Sequence, residues 1–181
     1  MPHPATGREI IAALESNAQN IAVFYRTLPE RVVLDGDSDH WGPAHHLVHL
    51  TMGSVALERG LRSGTLPLHS TGRSRTYAEV RDAATASLTS TPKDKLLDMG
   101  RKVMVAPDAR LADITVGFER ASTALRAAAS TWAEDVLDRH AVRHPLMGEL
   151  TVREMLLFFV VHERHHLKLV RTRLESQPPI R

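Results

Sequence analysis

Eleven of the 181 residues are histidine, and two short segments concentrate them: AHHLVHL at 44–50 and HERHHL at 162–167. A neutral imidazole offers a metal-ligating nitrogen, and histidine is also the side chain whose proton moves near neutral pH. His162, Glu163 and His166 spell H-E-x-x-H, in which two histidines on one helical face hold zinc and the glutamate serves as general base. Peptidases built this way take a third ligand from downstream, either a histidine or a glutamate on a following helix. Only 15 residues follow His166, none is histidine, and the one acid among them, Glu175, lies about half a turn round the same helix. The sequence therefore argues against a metallopeptidase and leaves the histidines to be explained.

At 100° per residue, Met155, Phe159, His162, His166 and Leu169 share one sector of a helix. His165 falls at the edge of that stripe and Glu163 to the other side. Two readings stand for the pair. They are core histidines bonded to backbone carbonyls or to each other, or they are metal ligands, since imidazoles at i and i+4 place two nitrogens within reach of one ion. Two unprotonated imidazoles packed in apolar surroundings need polar partners that hydrophobic neighbours do not supply, and a metal would resolve that conflict. Glu163 is a candidate general base if it reaches an open coordination position; otherwise it is a solvated charge or a salt-bridge partner.

A third ligand must come from another element. His45 and His49 share a face with Met52, Gly53 and Ala56, where small residues let a neighbouring helix approach closely. His49 is preferred because it lies farther from the fraying first turn. His46 points elsewhere, toward solvent or behind a ligand. The candidate metal ligands are thus His49, His162 and His166.

Four long helices can position these residues. Thr6 and Glu9 form a capping box ahead of Ile10, Leu14, Ala18, Ile21, Phe24 and Leu28, so the first helix spans about 6–28. Gly42 and Pro43 open a second, near 43–63. A third, near 108–133, carries Leu111, Ile114, Phe118, Ala121, Leu125, Ala129 and Trp132 on its inner side. Thr151 and Glu154 make another capping box that opens the last helix, 151–175, and Pro178-Pro179 closes the chain. Between the second and third helices, residues 77–104 read as an irregular or helical crossing segment interrupted at Thr91-Pro92. The loop 65–76 has the length of a functional loop and is a candidate for a pocket mouth, although none of its residues marks it as one. RHPLMGE, at 143–149, reads as a turn. With no alternating strand pattern and no repeat, the expected fold is an all-α bundle in a single domain, 1–181.

Composition narrows the function classes. Hydrophobic residues make up 43% and charged residues 24%, as in ordinary globular proteins. The absence of cysteine removes thiolate nucleophiles, disulfides and Cys-ligated metal. The amino terminus lacks the organisation of a signal peptide and no segment has the run of apolar residues that a membrane span requires, so a cytoplasmic location is expected. The net charge of +2 is spread along the chain, which speaks against nucleic acid as a partner.

Three segments taken together, WGPAHHLVHL at 41–50, HPLMGELTVREML at 144–156 and HERHHL at 162–167, resemble the DinB-like superfamily of four-helix metal-binding proteins. That pattern has a Trp before a helix, a His ahead of a Leu on it and an H-x-x-x-H pair on the last helix, and the resemblance runs over about residues 6–175, most weakly at 65–105. Carried over by position, the family's ligands fall on His49, His162 and His166. Where many members have Ser-Pro-Ala-Glu after the Trp, this chain has Gly-Pro-Ala-His, so its second helix lacks an acidic first-turn residue. The resemblance implies a divalent ion (Zn, Ni, Fe or Mn), a homodimer, and a small-molecule substrate with a low-molecular-weight thiol among the candidates. The activity implied is that of a metal-dependent transferase or hydrolase in which the three-His metal activates a thiol or water. The alternative is a non-catalytic bundle in which the metal has a structural or sensing role.

Overall fold

The computed structural model describes residues 3–36 and 40–176; the Pro178-Pro179 terminator lies outside them. In chain order the elements are α1 (Gly7–Arg26), α2 (Glu30–Val33), α3 (Pro43–Arg62), α4 (Tyr77–Ser90), α5 (Lys93–Gly100), α6 (Leu111–Ala129), β1 (Ala141–His144), β2 (Gly148–Thr151) and α7 (Val152–Glu175). The protein is mainly helical, with one small antiparallel hairpin.

Local chemistry sets where α1, α3 and α7 start, whereas α6 begins without a side-chain cap. The Thr6 and Thr151 capping boxes both form: Glu9 N donates to Thr6 Oγ1 at 3.3 Å and Thr6 N to Glu9 Oε2 at 2.9 Å, while Glu154 N donates to Thr151 Oγ1 at 3.0 Å and Thr151 N to Glu154 Oε2 at 3.1 Å. A third box, Thr76 with Glu79, opens α4. Pro43 occupies the first turn of α3, and Gly42 before it is required sterically, because a Cβ there would meet Asp35 O at 1.6 Å. The apolar stripe of α1 buries Ile10, Leu14, Ala18 and Ile21 as expected but continues through Tyr25 rather than Phe24, and the Tyr25 hydroxyl donates to Pro43 O at 2.7 Å, tying α1 to the start of α3.

A short helix, α2, follows Pro29, with Val33 fully buried in the core. Two expectations need correction. The helices end sooner than their apolar patterns run: α1 stops at Arg26 with Thr27 as cap, and α6 stops at Ala129, leaving Trp132 outside it. RHPLMGE turns the chain at 145–147 as expected, but its ends are strands of a hairpin, with Ala141 opposite Thr151 and His144 opposite Gly148. Gly148 has φ +74°, the left-handed conformation that the turn requires. Four-residue strands are too short to show alternation in the sequence.

α1 packs on α6, α6 on α3, α3 on α7 and α7 back on α1, while α4 lies along α7. The interior divides into two apolar clusters: one around Leu14, Leu125, Leu156 and Leu157, the other around Ile21, Leu47, Phe118 and Val170. The stretch of α7 between Val160 and Val170 therefore crosses from one cluster to the other, and the polar segment HERHHL occupies that boundary. Among the described residues no helix is long and apolar enough to cross a membrane.

The start of α7 is held by ionic contacts. Arg153, 8% exposed, bonds Asp138 at 2.7 Å, Glu134 at 2.6 Å and the backbone oxygens of Ala5 and Glu134. Glu154, 3% exposed, is paired with Arg75 at 2.8 Å. Loop 65–76 is used here: Arg75 meets Glu154, Ser74 bonds Asp138 and Thr151, and His69 N donates to Arg139 O. Its contacts are with the hairpin side and the start of α7, not with the histidine rings.

Burial by itself would raise the Asp138 carboxyl, but hydrogen bonds from Arg153 and Ser74 outweigh it and hold the group below its ordinary 3.8. The Glu154 carboxyl is likewise raised by burial and lowered more by Arg75 and Thr151, ending below 4.5. Carboxyls lowered in the folded state add stability that is complete above their unfolded values and is lost as pH falls through the folded ones. Urea midpoints should therefore fall as pH drops below 4.5. Arg153→Met should lower stability by about 2 kcal/mol at pH 7 and flatten that dependence. An acid limb as steep in the variant as in the wild type would contradict this assignment.

Candidate metal centre

α3 and α7 come close where Gly53 faces Phe159: a Cβ on Gly53 would lie 3.3 Å from Phe159 Cζ. One turn back along α3 and one turn on along α7, that approach sets His49 against His162 and His166. His49 Nε2 lies 3.0 Å from His162 Nε2, which lies 2.9 Å from His166 Nε2. All three ligating nitrogens fall within 4.8 Å of one another, and the cluster can hold a metal ion.

The separations suit an ion. With metal–nitrogen bonds of about 2.0–2.1 Å, cis ligands lie ~2.9 Å apart at a right angle and ~3.3 Å apart at the tetrahedral angle. The donor chemistry suits one too. His162 Nε2 has a single in-plane lone pair and faces two other ring nitrogens, so hydrogen bonding alone satisfies the trio poorly. Burial lowers His162 and His166 well below the ordinary histidine value and lowers His49 as well, with neighbouring histidines adding to the effect on the first two. All three are neutral at pH 7, with lone pairs available.

His46 is not turned to solvent. Its Nδ1 lies 2.7 Å from His166 Nδ1, so His166 has one nitrogen directed into the trio and the other bonded to His46, the arrangement that fixes the tautomer of a metal-ligating histidine. Burial, with His49, Arg173, His45 and His165 nearby, lowers His46 to about 4, so it is neutral and able to accept a proton carried on His166 Nδ1. By contrast, His162 Nδ1 is buried without a partner. His45 is buried but belongs to a different wall, where it lines a cavity with Leu34 and Val103. His165 packs beside His166 at 5.5 Å between ring centroids, outside the trio.

Trp41 covers the cluster. Its ring centre lies 5.1 Å from that of His49, 5.2 Å from His46 and 6.2 Å from His166. Its Nε1 donates to Gly100 O at 3.3 Å and its own carbonyl accepts from Arg173, so α5 and the end of α7 both hold it. Trp132 sits apart, edge-on to His140 at 5.2 Å.

His144, read as part of a turn, stands at the edge of the site. Its Nδ1 accepts from the backbone N–H of Leu146 at 3.2 Å and of Met147 at 3.1 Å, which leaves the ring proton on Nε2. Its ring packs on Phe158 at 4.4 Å, and Phe158 stacks on His162 at 4.9 Å. Burial, with His49 adding, lowers it to about 4.

Glu163 is neither solvated nor ion-paired among the described residues. It is 1% exposed and lies on the α1 side of α7 beside Asn17, and burial pushes its carboxyl up to about 8. No hydrogen bond connects it with the three rings. Compared with known proteins, the chain matches no family model, no curated sequence and no solved structure.

If His46 orients His166, His46→Leu should weaken zinc binding by about 10- to 100-fold. His46→Asn, which keeps a side-chain acceptor, should recover part of the loss. Competition with a chromogenic chelator measures both; equal affinity in wild type and His46→Leu would remove His46 from the site.

Proposed function

We propose that the chain is a divalent-metal-binding four-helix bundle of the DinB-like kind. In this reading it acts as a metal-dependent transferase or hydrolase, with His49, His162 and His166 holding the ion. The observation that carries the proposal is the convergence of three neutral Nε2 atoms from two helices, with contacts of 2.9 and 3.0 Å. The ring of four long helices and the motifs at 41–50, 144–156 and 162–167 support the same reading. Imidazoles discriminate weakly among Zn, Ni, Fe and Mn, so the donor set is compatible with each.

Such an ion supplies Lewis acidity toward a thiol or a water. The chain supplies the rest. Three uncharged ligands leave the ion's full +2 charge in place. His166 is held in one tautomer by His46, and Trp41 excludes solvent from that side of the rings. His144, with Nδ1 committed to two backbone donors, presents Nε2–H as a hydrogen-bond donor beside Phe158 and can orient an acceptor on the substrate. Glu163, on the other side of α7, has no part in this proton inventory. The substrate proposed is a small electrophile together with a low-molecular-weight thiol or water, and a homodimer is carried over from the resemblance.

Protein purified without chelator or affinity tag should contain close to one divalent ion per chain by elemental analysis, and His49→Ala or His166→Ala should lose most of it. Full occupancy in both variants would rule out the trio. Metal-loaded protein should transfer an electrophile to a bacterial thiol, or hydrolyse a member of an ester and amide panel, with turnover abolished in both variants. Metal binding without turnover across those panels would establish the non-catalytic reading instead.

A further inference from the structure

HERHHL has a second face that the histidine site leaves unused. Arg164 leaves α7 toward α1 and α4, where its Nε donates to Asn17 Oδ1 at 3.1 Å and its Nη1 to the Tyr77 hydroxyl at 3.0 Å. Neither partner is charged, and among the described residues no carboxylate forms an ion pair with this guanidinium. With Arg81, one turn along α4 from Tyr77, and Asn20 on α1, these groups line a cavity of about 420 Å³, within the range of small-ligand pockets. Glu163 forms part of the same wall. It is 1% exposed, Asn17 hydrogen-bonds its carboxyl, and its Oε2 is buried with no hydrogen-bond partner among the described residues. A buried carboxyl oxygen left unpaired is costly, and a ligand hydroxyl reaching it from the cavity that Glu163 helps to line would relieve that cost.

We propose that this cavity between α1, α4 and α7 is a second binding site, separate from the histidine cluster, for a small oxyanion that also carries a hydroxyl group. Arg164 is a pre-positioned cation: Asn17 and Tyr77 hold its plane, and among the described residues no carboxylate hydrogen-bonds it, the buried Glu163 carboxyl acting on it only through its field, which leaves its donors able to take a carboxylate or phosphate oxygen. The Tyr77 hydroxyl accepts from Arg164 and so keeps its own proton to give to the same oxyanion, while Arg81, paired with Asp82 at 2.8 Å, stands at the wall as a further donor. Glu163 accounts for the hydroxyl. A hydroxyl both donates and accepts, so it pairs with that carboxyl whether or not the carboxyl holds a proton.

The test is calorimetric titration of the full chain, stripped of metal and again metal-loaded, with two pairs of probes at constant ionic strength: glycolate against acetate, and glycerol 3-phosphate against propyl phosphate. Saturable one-to-one binding is expected for at least one hydroxylated probe, about ten-fold tighter than its unhydroxylated partner and unchanged by metal removal. Arg164→Gln should weaken it by at least about ten-fold. Glu163→Leu should erase the advantage of the hydroxylated probe, and Glu163→Gln should keep it. If Arg164→Gln does not fold, Arg81→Gln and Tyr77→Phe together serve in its place, with a several-fold loss expected. The proposal is overturned if none of the four probes binds saturably, if binding disappears with the metal, or if affinity is the same in the arginine and tyrosine variants. Because the metal-stripped protein is measured directly, failure of the three-histidine site would not disturb the result, and failure here would leave that site standing.

Discussion

The close approach of α3 to α7 is the constraint on which the centre depends. Gly53 gives up a side chain so that Phe159 can pack against the backbone of α3, and that contact brings ring nitrogens from two helices within 3.0 Å. A side chain at 53 would press on the Phe159 ring, and any resulting shift of the axes would be felt at the rings, because His162 and His166 share one face of α7 and His49 lies one turn from Gly53 on α3. The capping boxes, the Tyr25 bond to Pro43 and the Arg153 cluster set where each helix begins, and so which turn of one meets which turn of the other.

Desolvation gives the site its chemical character. Five histidines around Trp41 and Phe158 are held neutral by burial, reinforced by neighbouring histidines for all but His49, which keeps their lone pairs available while making the protonated state costly. Support within the trio is unequal. His166 is bonded at both nitrogens, whereas His162 has one ring nitrogen without a partner. An ion bound by the folded arrangement of the Nε2 atoms and not by the unfolded chain would contribute to stability by mass action, while leaving His162 Nδ1 as it is.

Much of this was legible in the residues. The capping threonines, the Gly42-Pro43 start and the periodic apolar positions located the long helices, since those signals are local. The i, i+4 spacing placed His162 and His166 on one face, and the small residue at 53 pointed to a close neighbour. What was not legible depended on partners distant in sequence. The contact of His46 with His166 spans 120 positions, and periodicity on α3 alone left open whether His46 faced solvent or a ligand. The burial of Glu163 arises from α1 packing on α7, a contact that spacing within HERHHL does not encode. The hairpin escaped notice because Ala141–His144 and Gly148–Thr151 are each too short to show a period, and with it went the means of seeing that His144 stands near the rings rather than at the tip of a turn.

The distance in sequence between the two halves of the centre bears on how the protein would come to hold an ion in a cell. His49 and His162 are 113 residues apart, and neither α3 nor the chain up to the hairpin carries the full set of donors. A ribosome-bound fragment ending before α7 has one histidine of the three, so it lacks the geometry to retain a metal. The three donors converge only where α7 docks against α3, so full coordination of an ion would coincide with or follow that docking, and the ions within reach at that moment would decide which one is kept.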